Sequence, residues 1–183
     1  MFEVTYAYTK EEAMAVGDHH LGLMTQIDKM RRGRMMKVKS LSEVSKRWMF
    51  IAMAMVGVSV ISLLEFFSER EAYLLVFAAV VFAYGISCIF TGLKEKKRVE
   101  AYVPVLEGTV TFDGKGMRES RDGQVVKEFT WKEFEFCIVT EAIMCFFGKD
   151  KGTICFAYTE ENLEKFQKFP EEQKMDEDYV IQC

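Results

Sequence analysis

Two adjacent histidines and five cysteines are the residues with which this 183-residue chain could hold a metal or perform nucleophilic chemistry. His19 and His20 fall in a stretch of helical spacing, where neighbouring side chains point about 100° apart and cannot chelate one ion as an i, i+4 pair would. Cys88, Cys137, Cys145, Cys155 and Cys183 contain no CxxC pair. For a chain facing a reducing compartment, buried free thiols are the default, and Cys137, Cys145 and Cys155 read as structural thiols within strands. Cys183 is not fourth from the end, as prenylation requires. A Ser or Cys nucleophile needs a neighbouring base, yet no GxSxG elbow accompanies any serine. Gly114, Gly116, Gly148 and Gly152 join strand to strand and lack the helix N-terminus of a phosphate loop. The carboxylates occur as solvent-facing surfaces. No catalytic residue, metal or cofactor is therefore assigned.

The elements around these residues are dominated by two uncharged apolar stretches. Trp48 to Leu64 carries no charge and, after Glu65, continues through Phe66 and Phe67; Ala72 to Leu93 is likewise uncharged. At a rise of about 1.5 Å per residue each spans roughly 30 Å, the thickness of a bilayer core. The flanks are short and charged, too little chain to bury two helices that are apolar all round. A two-pass transmembrane hairpin is the expectation.

Charge sets the expected orientation. Arg31, Arg32, Arg34, Lys37, Lys39, Lys46 and Arg47 precede the first span, and Lys94, Lys96, Lys97 and Arg98 follow the second. The turn Ser68 to Glu71 has only Arg70 beside two glutamates, so both termini are expected in the cytoplasm of a cell-membrane protein. The seven cations before the first span are also candidates for contact with anionic headgroups, although a topology signal alone accounts for them equally. Residues 1–98 hold 14 Lys and Arg against 10 Asp and Glu, whereas residues 99–183 hold 10 against 18. An acidic C-terminal half does not suit nucleic acid. It suits a basic protein partner. Met1 to Lys10 is polar and resembles no cleaved signal, leaving the first span as the insertion signal.

Phe2, Val4, Tyr6 and Tyr8 alternate with polar or small residues, the pattern of a half-buried strand. Thr9 with Glu12 forms a capping box for a helix bearing Ala13, Val16, His20, Leu23, Ile27 and Met30 on one face, and Ser40 with Glu43 opens the run into Trp48. Both flanks of a hairpin emerge on one side, so the first strand is expected to join the sheet formed further along the chain. In the second span Ala79, Ala83, Ser87 and Thr91 recur at i+4, a small-residue stripe for close helix packing. Its simplest partner is the first span through Gly57, Ser59 and Ser62, with a homodimer as the alternative.

Beyond Ala101 short strand-like runs alternate with turn residues. Thr109 to Phe112 and Met117 to Ser120 flank Asp113-Gly114-Lys115-Gly116. Asp122-Gly123 leads into Gln124 to Trp131, with Phe134, Phe136 and Ile138, then Ile143 to Phe147, then Thr153 to Tyr158 after it. Thr159 caps a helix with Leu163, Phe166 and Phe169 on one face, expected to stop near Pro170, and the acidic tail after it is expected to lack fixed structure. The division is thus an N-terminal segment (1–47), a hairpin (48–93), a β domain with closing helix (99–170) and a tail (171–183). The fold class is an α+β membrane protein with a small antiparallel sheet domain.

The order Val110-Thr111-Phe112-Asp113, a glycine-marked hairpin, Phe129-Thr130-Trp131-Lys132-Glu133-Phe134, two more strands and a helix starting Thr159-Glu160-Glu161 resembles the YcxB-like bacterial membrane proteins. That family also sets a strand and helix ahead of two spans. The resemblance implies a pleckstrin-homology-like (PH-like) β domain and no particular activity. The expected function is a non-enzymatic, membrane-anchored cytoplasmic interaction or regulatory module. An accessory subunit of a larger membrane complex and an enzyme with an unrecognised site are the alternatives.

Overall fold

A computed structural model describes residues 1–31, 38–149, 152–173 and 180–182. In chain order the elements are β1 (Phe2–Ala7), α1 (Lys10–Arg31), α2 (Leu41–Glu69), α3 (Ala72–Glu100), β2 (Glu107–Phe112), β3 (Gly116–Arg121), β4 (Gln124–Thr130), β5 (Phe134–Val139), β6 (Ile143–Gly148), β7 (Gly152–Ala157), α4 (Glu160–Gln173) and β8 (Val180–Gln182). They divide into two units, Met1–Val38 with Val103–Cys183, and Lys39–Tyr102.

The first unit is built of two sheets. One has the order β1-β2-β3-β4 and is antiparallel throughout; the other has the order β7-β6-β5-β8. β1 pairs with β2 across a separation of about a hundred residues, with Phe2 opposite Phe112, Val4 opposite Val110 and Tyr6 opposite Gly108. A lone strand cannot satisfy its backbone donors and acceptors, and this pairing satisfies those of β1. The β3–β4 hairpin turns at Asp122 and Gly123, both with positive φ, the geometry for which an Asp-Gly pair is suited.

Alternation along the strands decides what is buried. Val4, Tyr6, Val110, Phe112, Met117 and Phe129 of the first sheet meet Phe134, Cys137, Val139, Met144, Phe146, Ile154 and Phe156 of the second, with Phe166 of α4 in the same cluster. Phe146 stands edge-on to both Phe112 and Phe166, at ring separations of 5.3 and 4.9 Å. A β-bulge between Phe134 and Phe136 breaks the simple alternation expected there. Phe134, Cys137 and Val139 consequently face the inter-sheet core, while Phe136 and Ile138 turn to the other face.

That other face is covered by α1. Its Leu23 is buried with Ile138, Ile143, Cys145 and Phe147, and Val16, Ile27 and Val38 pack at the margin. β6 is apolar on both sides because it is covered on both sides. Thr9 and Glu12 close the helix start reciprocally, Thr9 N donating to Glu12 Oε2 at 2.8 Å and Glu12 N to Thr9 Oγ1 at 3.3 Å.

Two expectations for the C-terminal end are corrected. α4, capped by Thr159 Oγ1 accepting from Asn162 N at 3.1 Å, runs to Gln173 rather than stopping at Pro170. A proline removes one helical hydrogen bond, and the helix here continues three residues past it. Val180–Gln182, within the tail expected to lack fixed structure, forms β8, parallel to Cys137–Val139. β5 would otherwise present an unpaired edge, and Val180 and Ile181 are strand-favouring residues.

The second unit is an antiparallel helix pair whose helices extend beyond the uncharged segments into the charged flanks. Ser40 caps α2 by accepting from Glu43 N, and Arg70 ends it in the left-handed conformation. Both helices are long and apolar enough to cross a membrane, and only 17% and 22% of their most apolar stretches is buried. Such sparse burial distinguishes them from core helices of a soluble protein.

Candidate functional site

A group of buried and partly buried ionisable side chains in the first unit forms a polar seam at one edge of the two sheets. β4 ends one sheet and β7 ends the other. Lys127 of β4 reaches across, Nζ donating to the Thr153 carbonyl of β7 at 2.5 Å. His20 Nε2 lies 2.9 Å from Thr153 Oγ1, so α1 is fastened to the same residue.

Next to Lys127 in the strand register is Glu119 of β3, whose side chain is only 3% exposed. Tyr6 Oη donates to Glu119 Oε1 at 2.8 Å, and Arg121 donates to that same oxygen through Nε at 3.0 Å and Nη2 at 2.6 Å. Three donors on one oxygen compensate a carboxylate that burial alone would destabilise strongly. Gly108 makes room for this: a Cβ there would lie 2.5 Å from Tyr6 Oη. Tyr8, stacked on Tyr6 at 5.1 Å, accepts from Ala157 N at 2.8 Å, joining β1 to β7.

Burial governs the protonation of the seam. Desolvation first, then the Glu119 hydrogen bond and charge, raise the Tyr6 phenol above its ordinary range. Burial also raises Tyr8, although the bond from Ala157 N opposes it. Lys127 is lowered by burial and by Arg121, with Glu119 opposing. His20 is lowered by burial and then by Lys127, which favours the neutral imidazole. The hydrogen-bonding groups point inward at one another: ammonium on carbonyl, imidazole on hydroxyl, phenol and guanidinium on carboxylate. Such a seam fastens β1, β3, β4, β7 and α1 together.

No family model, curated protein or solved structure matches this chain.

Cys145 and Cys155, expected as free thiols, are joined in a disulfide, with Cα atoms 4.3 Å apart. They stand directly opposite each other in the β6–β7 register, the arrangement that brings side chains closest across an antiparallel pair. Cys137 and Cys88 are free and buried, and burial raises the Cys137 thiol well above its ordinary range. Among the described residues no group of three His, Cys, Asp or Glu could hold a metal ion.

The small-residue stripe does not pack α3 on α2. Ala79, Ala83 and Ser87 are exposed and Thr91 is partly covered. The buried row of α3 is Leu74, Ala78, Gly85, Cys88 and Gly92, and that of α2 is Leu41, Ser45, Ala52, Ser59 and Ser62; Ser45, Ala52 and Ser59 meet Gly92, Gly85 and Ala78. Successive i+4 steps spiral off a partner, whereas alternating spacings of three and four stay on it. Gly57 also lies off the contact row, with nothing near its Cβ position, while Ser59 and Ser62 lie on it. Ser45 Oγ donates to the Gly92 carbonyl at 2.8 Å and Ser59 Oγ to that of Ala78 at 2.9 Å.

Of the candidate basic residues, Arg31 closes α1, Arg32, Arg34 and Lys37 lie outside the described residues, and Lys39, Lys46 and Arg47 are exposed. The residues of the seam were not singled out from sequence as a set. Two signals were available: Glu119, which shares a face with Met117 and so places a carboxylate where β3 should be apolar, and His20, which falls on the apolar face of α1.

Proposed function

We propose that the chain is a two-pass cell-membrane protein that presents a PH-like β unit to the cytoplasm as a non-enzymatic interaction module. The observation that carries this is the bare apolar surface of α2 and α3. Phe50, Met53, Phe67, Val76, Val80 and Phe90 point outward from the pair, and lipid is the solvent that suits them. The exposed cations Lys39, Lys46 and Arg47, with Lys94, Lys96, Lys97 and Arg98, support cytoplasmic flanks and headgroup contact. Two four-stranded sheets, antiparallel apart from the β5–β8 pair, and a closing helix support a PH-like unit and the YcxB-like resemblance. The partner is a protein carrying basic surface, matched to the acidic C-terminal half. Val125 and Val126, 53% and 45% exposed on edge strand β4, offer it an apolar contact.

Impermeant maleimide on intact cells tests the anchor: Ser68→Cys should label and Gln182→Cys should not. A photo-crosslinker at Val126 tests the module. A discrete heterologous adduct supports it, and absence of any adduct with the topology intact removes the interaction reading.

A further inference from the structure

We propose that Cys145 and Cys155 are a reversible redox pair, and that α1 is the element that reads its state. The proposal rests on the cytoplasmic placement of the β unit given above, because there thiols are held reduced by the cell's dithiol pool and a disulfide forms only under an oxidant.

Three features of the pair support it. The two residues are opposite in register with Cα atoms 4.3 Å apart, so the bond can open and close without a change in strand pairing. Their exposure is unequal: Cys145 is fully buried, whereas Cys155 is partly exposed. An incoming thiolate therefore attacks Cys155 Sγ, and Cys145 leaves as thiolate and takes a proton. A second thiol of the reductant then displaces Cys155, and the reductant departs as its own disulfide. In the other direction a hydroperoxide supplies the oxidant. Cys155 thiolate attacks its O–O bond to become the sulfenic acid, the alkoxide (hydroxide, for hydrogen peroxide) leaves and takes a proton as alcohol or water, and Cys145 thiol displaces water from the sulfenic acid as the S–S bond forms.

The third feature is what lies over the pair. Cys145 is packed in one cluster with Leu23 of α1, Ile143 and Phe147, with Cys155 at its margin. Opening the bond moves two sulfurs from bonded distance to van der Waals separation, and a filled cluster accommodates extra volume poorly. Ile143 and Phe147 are fixed in a paired strand. Leu23 is on a helix and can yield. The other anchor of α1 on β7, His20 on Thr153, is two residues from Cys155 along the strand. Reduction thus loosens α1, the element that leads in sequence towards the basic stretch and α2.

The full-length chain with its five cysteines serves as its own probe. Cells are quenched in acid, denatured and treated with a mass-tagged maleimide. Resting cells should give five tags, brief hydrogen peroxide should give three, and five should return after its removal; Cys155→Ser should give four throughout. In purified full-length protein in detergent, amides of Ala13 to Ile27 should exchange about tenfold faster after dithiothreitol than before, and the Cys145→Ala, Cys155→Ala double variant should not respond. Five tags regardless of peroxide, or α1 exchange identical in both states, would overturn the proposal while leaving the topology standing. If an impermeant phosphine adds two tags in intact cells, the cytoplasmic placement itself fails.

Discussion

Lys127 Nζ donates to the carbonyl oxygen of Thr153 at 2.5 Å, and this bond joins the edge strands of two different sheets. A charged donor on a neutral carbonyl contributes about 1–3 kcal/mol when the carbonyl has no equal alternative. Lys127→Met should lower stability by that amount. His20 then reports on acid. Its folded pKa is depressed, so the unfolded chain takes up the proton first, and stability should fall as pH drops below about 6.5 and level off below the folded value. His20→Gln should remove this acid limb. Lys127→Met should reduce it only in part, because burial is the larger cause. Denaturant melts of the purified chain between neutral and mildly acidic pH measure all three.

Tyr6 supplies the opposite limb. Its phenol is raised by burial and by Glu119, so the unfolded chain loses its proton first as pH climbs past about 10. The stabilisation is fully present below that pH and is lost above it. Tyr6→Phe should flatten the alkaline slope and cost about 1–3 kcal/mol at neutral pH, since Glu119 keeps its burial but loses a donor. Spectrophotometric titration of tyrosine absorbance against denaturant midpoint distinguishes these two effects.

Legibility from sequence followed periodicity. β1, the caps at Thr9, Ser40 and Thr159, the Asp122-Gly123 turn and both long helices were readable because each depends on neighbours within a few residues. That β1 joins the strands beyond the helix pair was readable from chain connectivity, whereas its partner β2 and their register were not. Contacts set by register were not. Cys145 and Cys155 are separated by an ordinary ten residues, and only the β6–β7 alignment makes them face each other. The bulge at Phe134 redirects Phe136, and no local residue announces it. The seam needed five elements to converge, which spacing along one chain cannot show.

The helix pair gives a contrast between two rows of small residues. A Cβ at Gly92 would sit 3.1 Å from Met49 Sδ and 3.3 Å from the Ser45 carbonyl, so a larger side chain must push the helices apart and strain the Ser45 bond. Gly92→Leu should therefore destabilise the pair by about 1–3 kcal/mol. Ala83→Leu, on the exposed i+4 stripe, should be nearly silent in the isolated chain. Thermal melts in detergent test both. A reversal, with Ala83→Leu the damaging change, would restore the stripe as the contact row.

The split of the β unit around the helix pair makes the sharpest demand on the sequence. Val4 and Val110 are cross-strand partners, both buried between the sheets, whereas Thr5 on the same strand faces out. If β1 is integral to its sheet, a charge at position 4 enters an apolar core with no partner, at a cost of about 3 kcal/mol or more. If β1 were a separate arm, the same charge would be harmless. Val4→Asp should thus speed amide exchange at Val110 and Phe112, a hundred residues away in sequence, and lower the melting temperature of the β unit. Thr5→Lys should change stability by no more than about 0.5 kcal/mol, which controls for general effects of altering the strand. Equal, small effects of the two substitutions on the Val110 amide would separate β1 from the sheet.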